Sequence, residues 1–122
     1  MQEPTEINRV FKVVARNAWE AACRHGSLSG SADDIRDGFI HLSAPHQIAG
    51  TLAKHFTGQA DLVLIEFDAN ALGSDLRWEP ARDGNLFPHL YAALPTAAAL
   101  IVHKLGVDAD GVPIVPEDVE IC

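Results

Sequence analysis

Residues Leu62–Phe67 read LVLIEF, an almost unbroken apolar run. A strand that is covered on both faces produces such a run, so this segment predicts a central strand of a sheet. Upstream, Val10–Ala15 read VFKVVA and are rich in β-branched residues, which predicts a first strand. Strand alternation places Lys12 of this segment on the opposite face from Phe11.

Two helices are predicted between these strands. Asn17 and Glu20 have capping-box spacing, and Gly26 is a typical residue just past the end of a helix. The second helix is expected to be capped by Ser43 and to end at Gly58, because apolar residues follow the helical period between them.

The other segments are short. Residues 26–37 are rich in Ser, Gly and Asp and predict a loop with one helical turn at Ala32–Arg36, and Arg82–Asn85 carries an Asp-Gly turn signal. Further strands are predicted at Phe39–Ser43, Leu76–Glu79, Phe87–Ala92, Ala99–Leu105 and Val112–Val115. Helices in the first half and strands in the second favour an α+β fold over a doubly wound parallel sheet.

Length and charge limit the class of protein. The 122 residues predict a single domain, with its core at about residues 10–105 and a solvated acidic tail at 106–122. The net charge of −8 opposes broad DNA or RNA binding. The polar N-terminal residues and the lack of a long apolar run predict a cytoplasmic chain without membrane association, and we expect a monomer.

Several kinds of site are not expected from the sequence. Cys23 and Cys122 make no disulfide framework, and the six histidines lack the spacing of paired metal ligands. The glycine signatures of Rossmann and P-loop nucleotide sites do not occur. The sequence therefore predicts no metal site.

His41 is the first candidate functional residue. If its neighbours Ile40 and Leu42 face the core, His41 and Ser43 share the other face, just before a helix. An imidazole and a hydroxyl there could bind an anionic or ribose-bearing ligand. The alternative is a buried histidine bonded to a backbone carbonyl, with Ser43 only capping the helix.

Two further pairs are candidates. Arg77 and Glu79 share a strand face, where they could act as an anion clamp and as a catalytic or ribose-orienting carboxylate. The alternative is an exposed ion pair, which contributes little. His89 and Tyr91 also share a face and could stack on a flat heterocycle, although such pairs are equally common in ordinary cores.

The segments GFIHLS at Gly38–Ser43, RWE at Arg77–Glu79 and FPHLY at Phe87–Tyr91 resemble a small bacterial family, domain of unknown function 952. The resemblance runs from about Val10 to Leu105. The family is often grouped with the ADP-ribosyltransferase-like fold, and some members are labelled as glutathione S-transferase related. The resemblance implies a split, mainly antiparallel sheet with two helices in the N-terminal half.

The resemblance also implies roles for the candidate residues. In ADP-ribosyltransferases an early strand binds the NAD ribose, a later strand runs into a helix, and a further strand brings a glutamate. The resemblance assigns Lys12, Gly38–Ser43 and Glu79 to these three positions, with Lys12 in place of the His or Arg that these enzymes use. The implied cleft is lined by Lys12, His41, Ser43, Arg77, Glu79, His89 and Tyr91, with His41 and Glu79 as its catalytic residues.

The predicted function is therefore transfer from an NAD-like or phosphoribosyl ligand, with NAD as a substrate and no other cofactor. In that reaction His41 and Ser43 would fix the ribose and pyrophosphate, and Glu79 would stabilise a ribosyl cation. Two alternatives stay open. One is a non-catalytic module that binds nucleotides or small anions, and the other is a structural or protein-interaction domain.

Overall fold

The computed structural model describes residues 8–81, 84–117 and 119. Strand β1 (Arg9–Ala15) pairs antiparallel with β4 (Leu62–Asp68), which pairs antiparallel with β8 (Ala99–Lys104). The sheet order is β1-β4-β8, so β4 is the central strand that its apolar run predicts.

The two faces of β4 pack into two different cores, which explains its lack of polar alternation. Val63, Ile65 and Phe67 join one core, together with Trp19 of helix α1 (Arg16–His25). Leu62 and Leu64 join the other core, which contains Ile48 and Leu52 of helix α3 (Ile48–His55).

A second sheet is built from shorter strands. Its order is β3-β6-β5, from β3 (Ile40–His41), β6 (Leu86–Leu90) and β5 (Leu76–Pro80), and every pair is antiparallel. A further small pair joins β2 (Ser27–Leu28) to β7 (Leu94–Pro95). The described residues therefore form an α+β fold with antiparallel pairing, as predicted.

The two larger sheets meet at Phe11 and Ser43. Their backbones exchange two hydrogen bonds, with N···O distances of 2.8 and 2.9 Å. This link places the Lys12 strand beside the segment that carries His41, and it is the main feature of the fold that positions the site.

The helices differ from the sequence prediction in number. The first half contains three α-helices rather than two, because α2 (Ala32–Asp37) replaces the predicted single turn. Ser31 and Asp34 form a reciprocal capping box at its start, and Gly38 ends it in the left-handed conformation. A short helix α4 (Ala69–Leu72) follows β4.

Both predicted N-terminal caps are wrong. Helix α1 begins at Arg16, and no side chain caps it, so Asn17 lies inside the helix. The hydroxyl of Ser43 instead lies 2.9 Å from that of Thr51. A 3₁₀ turn at Pro45–Gln47 precedes α3, and that helix ends at His55 rather than at Gly58.

The C-terminal segment is only partly the solvated tail that was predicted. Asp108, Asp110 and Glu117 are exposed, but Val119 is buried in the second core. The predicted strand at Val112–Val115 is reduced to one bridge between Val107 and Pro113, because prolines 113 and 116 have no N–H to donate.

The predicted turn at Arg82–Asn85 falls partly on residues 82 and 83, which lie outside the described residues. Within the described ranges, no helix has the length and apolar character needed to cross a bilayer.

Candidate functional site

A buried ion pair joins β1 to α2. Lys12 Nζ lies 2.9 Å from Asp34 Oδ2 and donates a second hydrogen bond of 3.0 Å to the carbonyl of His41. Both side chains of the ion pair are almost completely buried. Because an isolated charge in this position would be costly, each partner depends on the other.

Asp34 is the centre of this cluster. Besides Lys12, it accepts hydrogen bonds from the backbone N–H of Ser31 and of His41, at 2.9 and 3.0 Å. His41 Nδ1 lies 2.6 Å from Asp34 Oδ1, and His41 Nε2 lies 3.0 Å from Asp37 Oδ2. One buried carboxylate thus fixes a strand, a helix start and an imidazole ring.

The pKa values of Lys12 and Asp34 are each set by burial and by the charge of the other residue. Burial by itself disfavours the ionised form of Asp34, but the charge of Lys12 and the hydrogen bonds from Lys12, His41 and Ser31 outweigh it and lower the pKa to about 2. Burial lowers the pKa of Lys12, and its attraction to Asp34 opposes that shift. The carboxylate therefore stays ionised over the whole physiological range.

A second hydrogen-bonded cluster lies on β5 and β6. Glu79 Oε1 lies 2.8 Å from His89 Nδ1 and accepts a bond of 2.7 Å from the Tyr91 hydroxyl. The hydrogen bonds from His89 and Tyr91 lower the pKa of Glu79, and the bond to Glu79 raises the pKa of Tyr91. Because an ionised carboxylate can only accept, His89 donates from Nδ1.

The register of the second sheet brings the predicted residues together. His41 of β3 pairs with His89 of β6, which pairs with Arg77 of β5. These three side chains therefore share one face of the sheet, and Glu79 lies on the same face two residues along. The imidazole centroids of His41 and His89 are 5.6 Å apart.

An open cleft of about 330 Å³ lies against both clusters. Four of the predicted residues line it, namely Lys12, His41, Ser43 and His89. Glu79, Arg77 and Tyr91 are not among its lining residues. The Arg77 guanidinium lies over the Tyr91 ring, 4.9 Å from its centroid, and Tyr91 lines a second, smaller pocket.

Several residues that line the cleft were not predicted from the sequence. They are Asp33, Asp34, Arg36, Asp37, Thr51 and His55, together with the aromatic residues Phe11, Phe56 and Phe87. The spacing Ser31-x-x-Asp34 is a capping-box signal and could have placed a helix there. Nothing local to Asp34 shows that its other partner is Lys12, 22 positions earlier.

The donor set does not suggest a metal. In the part of the chain that the structure describes, no three His, Cys, Asp or Glu side chains are grouped so as to hold a metal ion. The carboxylates of the cleft are instead bonded to Lys12, Arg36 and His41.

We expect Gly30→Ala to be more destabilising than Gly38→Ala. Both glycines have a positive φ, of 112° and 85°, so both substitutions carry a backbone strain of about 1–3 kcal/mol. A Cβ at Gly30 would also lie 2.6 Å from the Cβ of Asp34, whereas one at Gly38 would meet nothing within 4 Å. Denaturant unfolding measures the difference between the two variants.

The amide resonance of His41 provides a second measurement on these variants, because it reports the hydrogen bond to Asp34. It should shift in Gly30→Ala and stay near its original position in Gly38→Ala. Equal losses of stability in the two variants would show that Asp34 moves aside without cost.

The fold and the cleft define a small α+β domain with a histidine- and carboxylate-lined site. The chain belongs to the family described as Protein of unknown function (DUF952), whose model matches residues 13–102. The match confirms the family resemblance inferred from the three sequence motifs. A comparison with curated proteins gives no significant match.

Solved structures of one relative have the same fold. The chain is 48% identical to protein CC0527 from Caulobacter crescentus, whose X-ray structure it matches with a TM-score of 0.85 over 87% of this chain and 93% of that one. The solution NMR structure of CC0527 matches with a TM-score of 0.78, at 48% identity, over 87% and 91% of the two chains.

Proposed function

We propose that the protein is a transferase that cleaves the bond between the pyridinium ring and the ribose of an NAD-like nucleotide. The proposal rests chiefly on one observation, the excess of carboxylates on the wall of an open cleft of ligand size. A cleft of about 330 Å³ falls within the range of small-molecule sites. It suits one ring-plus-sugar unit, with the rest of the nucleotide outside.

The charges in the cleft favour a cationic group over a pyrophosphate. Three carboxylates line it, those of Asp33, Asp34 and Asp37, against the two cations of Lys12 and Arg36. Both cations are already paired with these carboxylates. On this wall the aspartates therefore outnumber the lysine and the arginine. Such a wall stabilises both a pyridinium ring and a ribosyl cation.

The chemical step uses water or another hydroxyl compound as the acceptor. The bond between C1′ of the ribose and the ring nitrogen breaks, and its electron pair neutralises the pyridinium. The acceptor oxygen then bonds to C1′ and gives its proton to a base on the wall of the cleft. The hydroxyls of Ser43 and Thr51 line the cleft and would bind the sugar, and the aromatic lining residues would cover the ring. The ADP-ribosyltransferase-like grouping of the family agrees with this chemistry.

We expect millimolar NAD to raise the melting temperature and to release nicotinamide, which chromatography measures. AMP serves as a comparison ligand, because it has the ribose and phosphate but no pyridinium. Arg16→Gln is a matched control, since Arg16 pairs with Glu20 and Asp61 away from the cleft. If millimolar NAD neither raises the melting temperature nor releases nicotinamide, the proposal is excluded.

One observation favours a second function, nucleotide binding without catalysis. The glutamate that the family resemblance assigns to the ribosyl cation is not among the residues that line the cleft. This function predicts that ADP-ribose or AMP raises the melting temperature without turnover of NAD, and that Glu79→Ala leaves binding intact. Loss of binding in Glu79→Ala would contradict it. If none of these ligands raises the melting temperature, both functions are excluded and the remaining alternative is a structural or protein-interaction domain.

A further inference from the structure

We propose that His89 is the catalytic base of this site and that Glu79 is a positioning residue that acts through it. This inference rests on the proposed function. It differs from the role that the resemblance implies for Glu79, because that role requires the carboxylate to contact the ribose.

The nitrogen atoms of His89 are not equivalent. Nδ1 donates to Glu79, so in the neutral ring Nε2 carries the lone pair. Within the described residues, no hydrogen-bond partner of Nε2 is found, although His89 is only 5% exposed and lines the cleft. A buried acceptor without a partner is costly unless a ligand or water fills the position. Nε2 is therefore the atom most suited to take a proton from a bound acceptor.

His41 is less suited to this role. Both of its ring nitrogens are occupied by carboxylates, Nδ1 by Asp34 and Nε2 by Asp37. A bound acceptor would have to displace one of these carboxylates before it could reach a ring nitrogen of His41. His41 can help to hold the sugar, but it has no free nitrogen for proton transfer.

Two neighbours keep the His89 ring in place. Phe39 stacks on it, with ring centroids 4.0 Å apart and an angle of 23° between the planes. Tyr91 donates to the same oxygen of Glu79 that His89 contacts, which holds the carboxylate in position. The ring is thus fixed in both plane and tautomer before any ligand arrives, as a general base requires.

The first test measures nicotinamide release from NAD. We expect His89→Gln to lower the rate at least about 100-fold, the lower end of general-base effects. Glu79→Gln should have a smaller effect and should lower kcat with little change in KM, because Glu79 acts through the His89 ring and not on the ligand. His46→Gln is the control, since His46 is exposed and does not line the cleft. An unchanged rate in His89→Gln would overturn the inference.

The second test needs neither turnover nor a variant. Nitrogen-detected NMR of the wild-type protein should show the Nδ1–H tautomer of His89, and ADP-ribose should shift the Nε2 resonance. An Nε2–H tautomer, or an Nε2 resonance that ADP-ribose leaves unchanged, would overturn the inference even if NAD is cleaved. If NAD is not cleaved but both NMR results are as expected, the proposed function fails and the assignment of His89 as the cleft-facing base is supported.

Discussion

Replacing Asp34 with alanine is expected to lower the free energy of unfolding by about 3–5 kcal/mol, the usual cost of removing one partner of a buried ion pair. The substitution leaves the ammonium of Lys12 buried without its carboxylate partner. It also removes the acceptor for the backbone N–H groups of Ser31 and His41. Urea unfolding at neutral pH measures the loss.

Two further variants show that burial and pairing cause this loss. Asp33→Ala removes a neighbouring carboxylate whose ion pair with Arg36 is exposed, so it should cost less than about 1 kcal/mol. Adding Lys12→Met to Asp34→Ala should recover part of the loss, because the unpaired buried charge is removed with it. If Asp34→Ala were as stable as Asp33→Ala, the buried pair would not hold β1 and α2 together.

Phe67→Ala is expected to lower the free energy of unfolding by a similar amount, about 3–5 kcal/mol. Phe67 is fully buried in the central strand, where its ring meets that of Trp19 edge to face, with centroids 6.4 Å apart. Truncation would leave a cavity between the sheet and α1, and the close-packed surroundings can fill it only partly. Chemical unfolding measures the effect.

The control for Phe67→Ala is Leu100→Ala on β8, at a side chain that is 50% exposed. This change removes little buried surface and should cost at most about 1 kcal/mol, the span of strand propensity. If the protein releases nicotinamide from NAD as proposed, Phe67→Ala should retain that activity at temperatures where it is folded, because Phe67 does not line the cleft. Equal losses in the two variants would contradict the central position of Phe67.

The local sequence predicted much of the fold. The apolar run at Leu62–Phe67 indicated the central strand, since a strand between two cores has no polar face. The positions of Ile40 and Leu42 also followed from alternation, and both residues are in the core. The caps at Asn17 and Ser43 were wrong because short polar side chains have several possible partners, and the local pattern does not choose among them.

Part of the candidate site could also be predicted. Alternation placed His41 with Ser43, and His89 with Tyr91, on shared strand faces. Which of these faces meets the cleft depends on the register of β3, β6 and β5, and that is a contact between distant segments. The difference between His89, which lines the cleft, and Glu79, which reaches it only through His89, has no local signal in the sequence.

By itself, the order of apolar and polar residues determined the class of fold, the central strand and the polar strand faces of the candidate site, because these properties depend on neighbours a few positions away. The partner of each charge was decided only in the tertiary structure. Lys12 meets Asp34 because the backbones of Phe11 and Ser43 join two sheets, and His89 lines the cleft while its Nδ1 contacts Glu79 of the neighbouring strand. Such pairings follow from packing and desolvation across the whole molecule.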